Sequence, residues 1–237
     1  MKNKIIKSKD ITPIAVKDYF LNVAASPPVQ ALSQFNPISA AVNSLFSGEY
    51  NRKKQEEITE ALHKLHSRLQ SVEKRYVDKE FYTTEKGKRV FAMALASLIK
   101  DSRKQKIEAM SNLLVNLTLK SKITYDEREL FVDILDALNP FHLTVLGRIY
   151  EFNKESKPSL RKFETAGIAS FFEDKGIDSQ LTHQAIAVLA NHYLVNRGTD
   201  ATIGGGGLTY HFTEFGERFF VFISEVLQKD SPYLKHI

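Results

Sequence analysis

Four consecutive glycines at residues 204–207 form the segment best suited in composition to holding a phosphate group. Backbone N–H groups can close around a phosphate where glycine leaves room for it. The nucleotide-binding P-loop also requires a lysine directly after its last glycine, and here Leu208 and Thr209 follow. We therefore expect residues 204–207 to be a flexible loop that binds no nucleotide or other cofactor.

Glu60, His63 and His66 have the spacing closest to that of metal ligands. In di-iron helical bundles, two helices each supply a Glu-x-x-His pair and two further helices each supply a glutamate. Glu60 and His63 form the only such pair in the sequence, and Lys64 and Arg68 lie beside them. The sequence therefore predicts no metal site at these residues.

The other side chains show no arrangement typical of catalysis. Because the chain has no cysteine, it has no thiolate nucleophile, and neither a Gly-x-Ser-x-Gly elbow nor a His-Glu-x-x-His helix occurs. None of the ten arginines is followed, after four to six residues, by the histidine of a helical HEPN ribonuclease. We expect a protein that is not an enzyme and has no catalytic residues.

Cysteine content and hydropathy bear on the cellular compartment. The absence of cysteine suits a reducing compartment. Residues 1–9 are basic, but no apolar stretch with a small-residue cleavage site follows them. No run of about 18 apolar residues occurs either. These features predict a cytoplasmic protein.

The net charge of +5 is unevenly distributed along the chain. Residues 1–120 carry 21 Lys and Arg against 12 Asp and Glu, whereas residues 121–237 carry 12 against 16. A polyanion such as nucleic acid is attracted to the basic part, although basic residues also suit solvated helix faces. The candidates for contact with nucleic acid in this part are Lys53, Lys54, Lys64, Arg68, Arg75, Lys86, Lys88, Arg89, Arg103, Lys104 and Lys106.

Two helices near the start of the sequence are marked by a capping residue followed by proline. Thr12-Pro13 and Asn36-Pro37 predict amphipathic helices over residues 12–25 and 36–47. The thirty residues 19–48 carry no charge. They suit either a buried hairpin or a hairpin that faces a partner or a membrane surface.

The middle of the chain has the periodicity of a helical bundle. Apolar residues over 58–76 alternate in spacings of four and three, which predicts one buried stripe that includes Leu65 and Leu69. The uncharged run 90–99 suits the centre of a bundle. Residues 1–138 are therefore predicted to form a helical domain, with helices that begin near residues 49, 84, 102 and 126.

The pattern changes after Asn139-Pro140, which starts another helix. The elements predicted from there are helices over 141–152, 163–174 and 180–195, strands near 193–197 and 208–212 on either side of the loop 198–207, and a helix over 214–228. The expected helix signals are Gly176 at an end, Asp178 or Ser179 at a start, and Thr213 at the start of the last helix.

This order of elements, with its ending Thr213-Glu214-Phe215-Gly216, resembles a winged-helix domain over residues 140–237. The resemblance implies that the helix over 180–195 would read the major groove of DNA and that the loop 198–207 is the wing. The residues on that implied reading surface are Gln180, His183, Gln184 and Arg197. Lys and Arg contacts to phosphate supply most non-specific DNA affinity, and the wing has none. The surface therefore favours contact with protein or a purely structural role, although glutamine can read adenine edges.

A second resemblance covers residues 30–150. The basic helix, the run 81–99, Lys104-Gln105-Lys106 through Asn112-Leu113-Leu114, and Leu138-Asn139-Pro140-Phe141-His142-Leu143 are similar to helical prokaryotic proteins of the abortive-infection alpha type. This resemblance implies a role in phage defence.

The sequence patterns are therefore consistent with three functions. We favour a mainly α-helical, non-enzymatic interaction protein, in which a helical bundle (1–138) precedes a winged-helix-like module with a small β-hairpin (139–237). It would bind a protein or nucleic acid through the basic N-terminal half, singly or as an oligomer. The second function is a phage-defence effector that contacts the membrane surface through residues 19–48, and the third is a winged-helix DNA-binding transcriptional regulator.

Overall fold

The structure is a computed structural model that describes residues 64, 65, 68, 72, 74–101, 103–155, 162–198, 209–228 and 231–234. The predicted helices 12–25 and 36–47, the uncharged segment 19–48, the Glu60 and His63 pair and the loop of four glycines lie outside these residues. The chain divides into two compact units, the first formed by residues 1–132 with 228–237 and the second by residues 133–227.

The described part of the first unit is helical. After a 3-10 turn at Lys74–Tyr76, it contains α1 (Lys79–Thr83), α2 (Glu85–Lys100), α3 (Lys104–Leu117) and the start of α4 (Tyr125–Ala137). The helix predicted to begin near residue 102 runs from Lys104 to Leu117, after which Leu119 and Ser121 form β-bridges with Val77 and Leu234.

The start of α2 was predicted correctly. The Thr84 hydroxyl accepts a hydrogen bond from the backbone N–H of Gly87 at 3.2 Å, as an N-cap does. A Cβ at residue 87 would lie 1.9 Å from the carbonyl oxygen of Phe81, so only glycine fits this first turn.

The core of the first unit lies on α2 and α3. The predicted central run is confirmed, because Val90, Phe91, Ala94 and Leu98 are at most 2% exposed, and Leu65 is also buried. Leu69 lies outside the described residues. Eleven of the fourteen residues of α3 are buried, so this helix presents no continuous polar face.

The second unit contains helices and a small sheet. Its elements are the end of α4, then α5 (Pro140–Glu155), β1 (Lys162–Glu164), α6 (Thr165–Glu173), α7 (Ser179–Asn191), β2 (Val195–Arg197), β3 (Thr209–Phe212) and α8 (Glu214–Ser224). The three strands form an antiparallel sheet in the order β1-β3-β2. The protein is therefore mainly α-helical with a small sheet near the C-terminus, as predicted.

Three predicted helix starts in this unit are confirmed by side-chain caps. Asn139 accepts from the backbone N–H of His142 at 2.9 Å, and Asp178 accepts from that of Gln180 at 2.8 Å. The Thr213 hydroxyl accepts from the N–H of Gly216 at 2.8 Å. The predicted strand over 208–212 is confirmed at Thr209–Phe212.

Three predicted boundaries are wrong. Phe163 lies in β1 rather than in a helix, because its backbone pairs with Tyr210 of β3. Its side chain is 2% exposed. The helix predicted to reach residue 195 ends at Asn191, and the last helix ends at Ser224. The first of these differences depends on a strand partner that is remote in sequence, which local patterns do not reveal.

Candidate interaction surface

Five of the eleven basic residues of the first half that were predicted to contact nucleic acid are paired with carboxylates. The ion pairs are Arg68–Glu108, Lys86–Asp126, Lys88–Glu85, Arg89–Glu129 and Arg103–Asp101. Nη2 of Arg89 lies 2.7 and 2.9 Å from the two carboxylate oxygens of Glu129. Each pair cancels its charge locally, so these five residues add little positive potential for a polyanion.

The remaining basic candidates differ in their exposure to solvent. Lys106 was wrongly predicted to be a contact residue, because it is 2% exposed in the interior around α3. Lys64, Arg75 and Lys104 are exposed. Lys53 and Lys54 lie outside the described residues.

A buried arginine that the sequence did not single out organises the first unit. Arg128 on α4 is 2% exposed, and its five N–H groups all have acceptors. These are the carbonyl oxygens of Leu117, Leu119 and Ile123, the Ser121 hydroxyl and the Asp78 carboxylate, at 2.7–3.4 Å. Burial lowers the pKa of Arg128, and the Asp78 carboxylate opposes that shift. The guanidinium therefore ties the segment 117–123 to α4.

A cleft of about 530 Å³ opens beside this arginine. Its lining includes the side chains of Tyr125 and Ile123 and two lysines, Lys79 and Lys120. Two carboxylates also line the cleft: Asp78, which accepts a hydrogen bond from Arg128, and Glu80. Neither lysine forms an ion pair with any residue that the structure describes. Because the donors of Arg128 are all used internally, these two lysines are the cations that the cleft offers to a ligand.

Helix α7 places the predicted reading residues on one exposed face. Gln180, His183 and Gln184 are exposed, while Ala185, Ile186 and Leu189 on the opposite face are buried. Leu181 does not belong to the buried stripe and is 52% exposed. No residue of α7 carries a full charge. The exposed face is therefore neutral and partly apolar, and Arg197 lies beyond it, exposed on β2.

The turn after α7 holds an exposed tyrosine in an unfavourable backbone conformation. Tyr193 has φ +58° and is 72% exposed. Its N–H donates to the Ala190 carbonyl at 2.9 Å, and the N–H of Leu194 donates to the Leu189 carbonyl at 3.1 Å. These bonds form a Schellman motif, whose left-handed residue is usually glycine.

The end of α6 has the same motif with the usual residue. Gly176 has φ +77°, and its N–H donates to the Glu173 carbonyl at 2.8 Å, while the N–H of Ile177 donates to that of Phe172. The predicted helix end at Gly176 is thus confirmed. Within one unit, the same helix-ending geometry is made once with glycine and once with tyrosine.

The tyrosine turn is fixed by the start of α8. The Thr213 hydroxyl donates to the Tyr193 carbonyl at 2.7 Å, and the backbone N–H of Thr213 donates to that of Leu194 at 3.2 Å. A Cβ at residue 216 would lie 2.1 Å from the Leu194 carbonyl oxygen, which explains the glycine in Thr213-Glu214-Phe215-Gly216. Surrounding contacts therefore determine the conformation of Tyr193.

Sequence reasoning found the exposed glutamines but missed Arg128, Leu181 and Tyr193. Leu181 had a detectable signal, because it falls outside the helical stripe formed by Thr182, Ala185 and Leu189. No sequence signal marked Arg128, because most of its hydrogen-bond acceptors are backbone carbonyls of another segment.

Among the residues that the structure describes, no single helix is long and apolar enough to span a membrane. The pair Tyr125–Ala137 and Pro140–Lys154 meets that test jointly, but with a bend of 119°. No group of three or more His, Asp or Glu side chains in the same part is arranged to hold a metal ion.

Comparison with known proteins gives no relative on which a function could be based. No protein-family model, curated protein or solved structure matches the chain.

Proposed function

We propose that this chain is a non-enzymatic interaction protein whose second unit is a winged-helix module that binds another protein through α7. The order α5-β1-α6-α7-β2-β3, with the sheet order β1-β3-β2, supports a winged-helix assignment. In that fold α7 occupies the position of the recognition helix, and the segment between β2 and β3 occupies that of the wing.

The exposure of Leu181 and Tyr193 around an uncharged helix is the observation that carries the proposal. The cores of protein interfaces are depleted in charge and enriched in aromatic side chains, and tyrosine is a frequent anchor. A DNA-reading helix needs cations near the phosphates, and the second unit has 8 Lys and Arg against 12 Asp and Glu. Binding to protein is therefore favoured over binding to DNA.

Binding of nucleic acid through the basic first half has weaker support. Five of its candidate residues are in ion pairs and Lys106 is buried. The phage-defence function at a membrane depends on residues 19–48, which lie outside the described residues, so it stays a prediction.

Affinity capture from the native cell, with and without nuclease treatment, tests the proposal. We expect wild type to capture proteins that nuclease does not release, and Leu181→Gln to lose them. Leu130→Gln is the matched control, since Leu130 is 46% exposed on α4 in the other unit, and it should capture the same proteins as wild type. Capture by Leu181→Gln equal to wild type, or complete release by nuclease, would contradict the proposal.

A further inference from the structure

The two apolar anchors of the α7 surface lie at opposite ends of the helix. Leu181 is in the first turn, and Tyr193 follows the last. With a rise of 1.5 Å per residue, the two are separated by about 18 Å along the helix axis. The surface between them is neutral, and it includes the exposed Gln184, Ala187 and Asn191. The surface therefore has an exposed apolar side chain at each end and small or polar side chains between them.

Tyr193 occupies a position whose backbone conformation is unfavourable for tyrosine. A left-handed conformation is sterically unfavourable for a residue other than glycine. Gly176 shows that the same motif forms in this unit without that cost. The ring makes little compensating contact within the chain, since Tyr193 is 72% exposed. A strained and exposed aromatic residue at an interaction surface is best explained by contacts that a partner supplies.

The exposed charges beside this surface are three carboxylates and Lys175, whose Nζ lies 3.9 Å from the centre of the Phe171 ring, so the net charge is negative. Glu173 and Asp174 at the end of α6 are exposed and form no ion pair with a described Lys or Arg. Asp178 caps α7 one turn before Leu181 and is also exposed. A partner must therefore combine positive charge with a recess for an aromatic ring.

The first unit of this same chain has both properties. It carries 25 Lys and Arg against 16 Asp and Glu, whereas the second unit has the opposite sign. The cleft beside Arg128 is large enough for an aromatic side chain, and Tyr125 and Ile123 line it. Lys79 and Lys120 at the cleft have no carboxylate partner among the described residues. Lysine beside an aromatic ring is itself attractive.

We infer that a partner of the α7 surface is a second copy of this chain, which receives Tyr193 in the cleft lined by Lys79, Lys120 and Tyr125. This inference rests on the proposed function and names its partner. The two contact surfaces are different, so the association is head-to-tail and extends to further copies unless the geometry closes a ring. Glu173, Asp174 and Asp178 approach the lysines of the neighbouring copy, which makes the contact sensitive to salt.

Sedimentation velocity of the purified full chain tests self-association. Between about 1 and 200 µM we expect wild type to shift from monomer to species larger than a dimer. About 0.5 M salt should reverse the shift. Tyr193→Gly should weaken association by about tenfold or more, and Tyr193→Phe, which keeps the ring, should assemble like wild type. A monomer at every concentration would overturn the inference, and so would unchanged assembly of Tyr193→Gly.

A mixing experiment tests the head-to-tail geometry. Tyr193→Gly lacks the anchor but keeps the cleft, and the double variant Lys79→Glu/Lys120→Glu lacks the cleft lysines but keeps the anchor. Each should be monomeric alone, and an equimolar mixture should form a dimer that grows no further. A mixture that stays monomeric, with both variants folded by circular dichroism, overturns the geometry. If wild type is monomeric but capture by α7 persists, the proposed function stands and another protein is the partner.

Discussion

Arg128 and Tyr193 each depart from the usual distribution of polar and apolar residues, in opposite directions. Arg128 is a charged side chain that is 2% exposed, and Tyr193 is an aromatic side chain that is 72% exposed. The burial of Arg128 is compensated inside the chain, because each of its five N–H groups has an acceptor. Neither the strain nor the exposure of Tyr193 is compensated by a described contact of its ring.

The two residues therefore differ in whether contacts of the described chain account for their placement. The buried guanidinium of Arg128 has every hydrogen bond satisfied, and these bonds join the segment 117–123 and Asp78 to α4. This structural role accounts for its burial. For the exposed ring of Tyr193 on its left-handed backbone, the described residues provide no such explanation. Substitution should therefore destabilise the fold at Arg128 and stabilise it at Tyr193.

The largest expected effect is at Arg128. Arg128→Met should lower the free energy of unfolding of the first unit by about 3–5 kcal/mol, because buried carbonyls and the Asp78 carboxylate lose their donor. Urea unfolding followed by circular dichroism measures the change.

Arg148→Met is the control for Arg128→Met. Arg148 is 26% exposed and pairs with Glu151 at 3.3 Å, so this change should cost no more than about 1 kcal/mol. Equal losses for the two variants would contradict the role assigned to Arg128.

The next effect concerns the contact that fixes the tyrosine turn. Gly216→Ala should destabilise the second unit by about 1–3 kcal/mol, since its Cβ would lie 2.1 Å from the Leu194 carbonyl oxygen and the backbone must shift. Gly147→Ala on α5 is the matched change, because its Cβ would meet only the Phe220 ring at 3.8 Å, and it should be tolerated. Thermal unfolding distinguishes them, and a wild-type melting temperature for Gly216→Ala would show that the turn adapts.

The features that sequence could predict are those that depend on neighbours in the chain. Thr84, Asn139 and Thr213 were identified as helix starts because a cap bonds a backbone group three residues away. The buried run 90–99 was identified from its composition. Phe163 was assigned to a helix because nothing near it reveals its pairing with Tyr210.

The candidate site was less predictable for the same reason. Gln180, His183 and Gln184, which were predicted to lie on a reading surface, are exposed, whereas the left-handed backbone of Tyr193 is not apparent from the sequence. Charge alone also misled the analysis of the basic residues. Whether Arg89 or Arg103 attracts a polyanion depends on the carboxylate that lies beside it in the folded chain.

A smaller effect, of opposite sign, is expected at the tyrosine. Tyr193→Gly should raise the free energy of unfolding of the second unit by up to about 1 kcal/mol, because glycine adopts φ +58° without steric cost. Gly176→Ala at the equivalent position should lower it by about 1 kcal/mol. Chemical denaturation of both variants gives the values. A loss of stability in Tyr193→Gly would mean that the ring stabilises the fold, and the contrast with Arg128 would fail.

The smallest effect is expected at an ion pair on the first unit, where a charge is compensated at the surface rather than in the interior. The Arg103 guanidinium, through a side-chain hydrogen bond, holds the pKa of Asp101 below its usual range. A carboxylate with a depressed pKa in the folded state stabilises the fold above about pH 4 and loses that contribution as the pH falls through its folded pKa. Because the pair is partly exposed, the contribution should not exceed about 1 kcal/mol. Asp101→Asn should therefore lower the melting temperature slightly at pH 7 and converge with wild type near pH 2. Melting curves that stay equally far apart at both pH values would show that Asp101 acts through packing or through its neutral hydrogen bonds, and not through its charge.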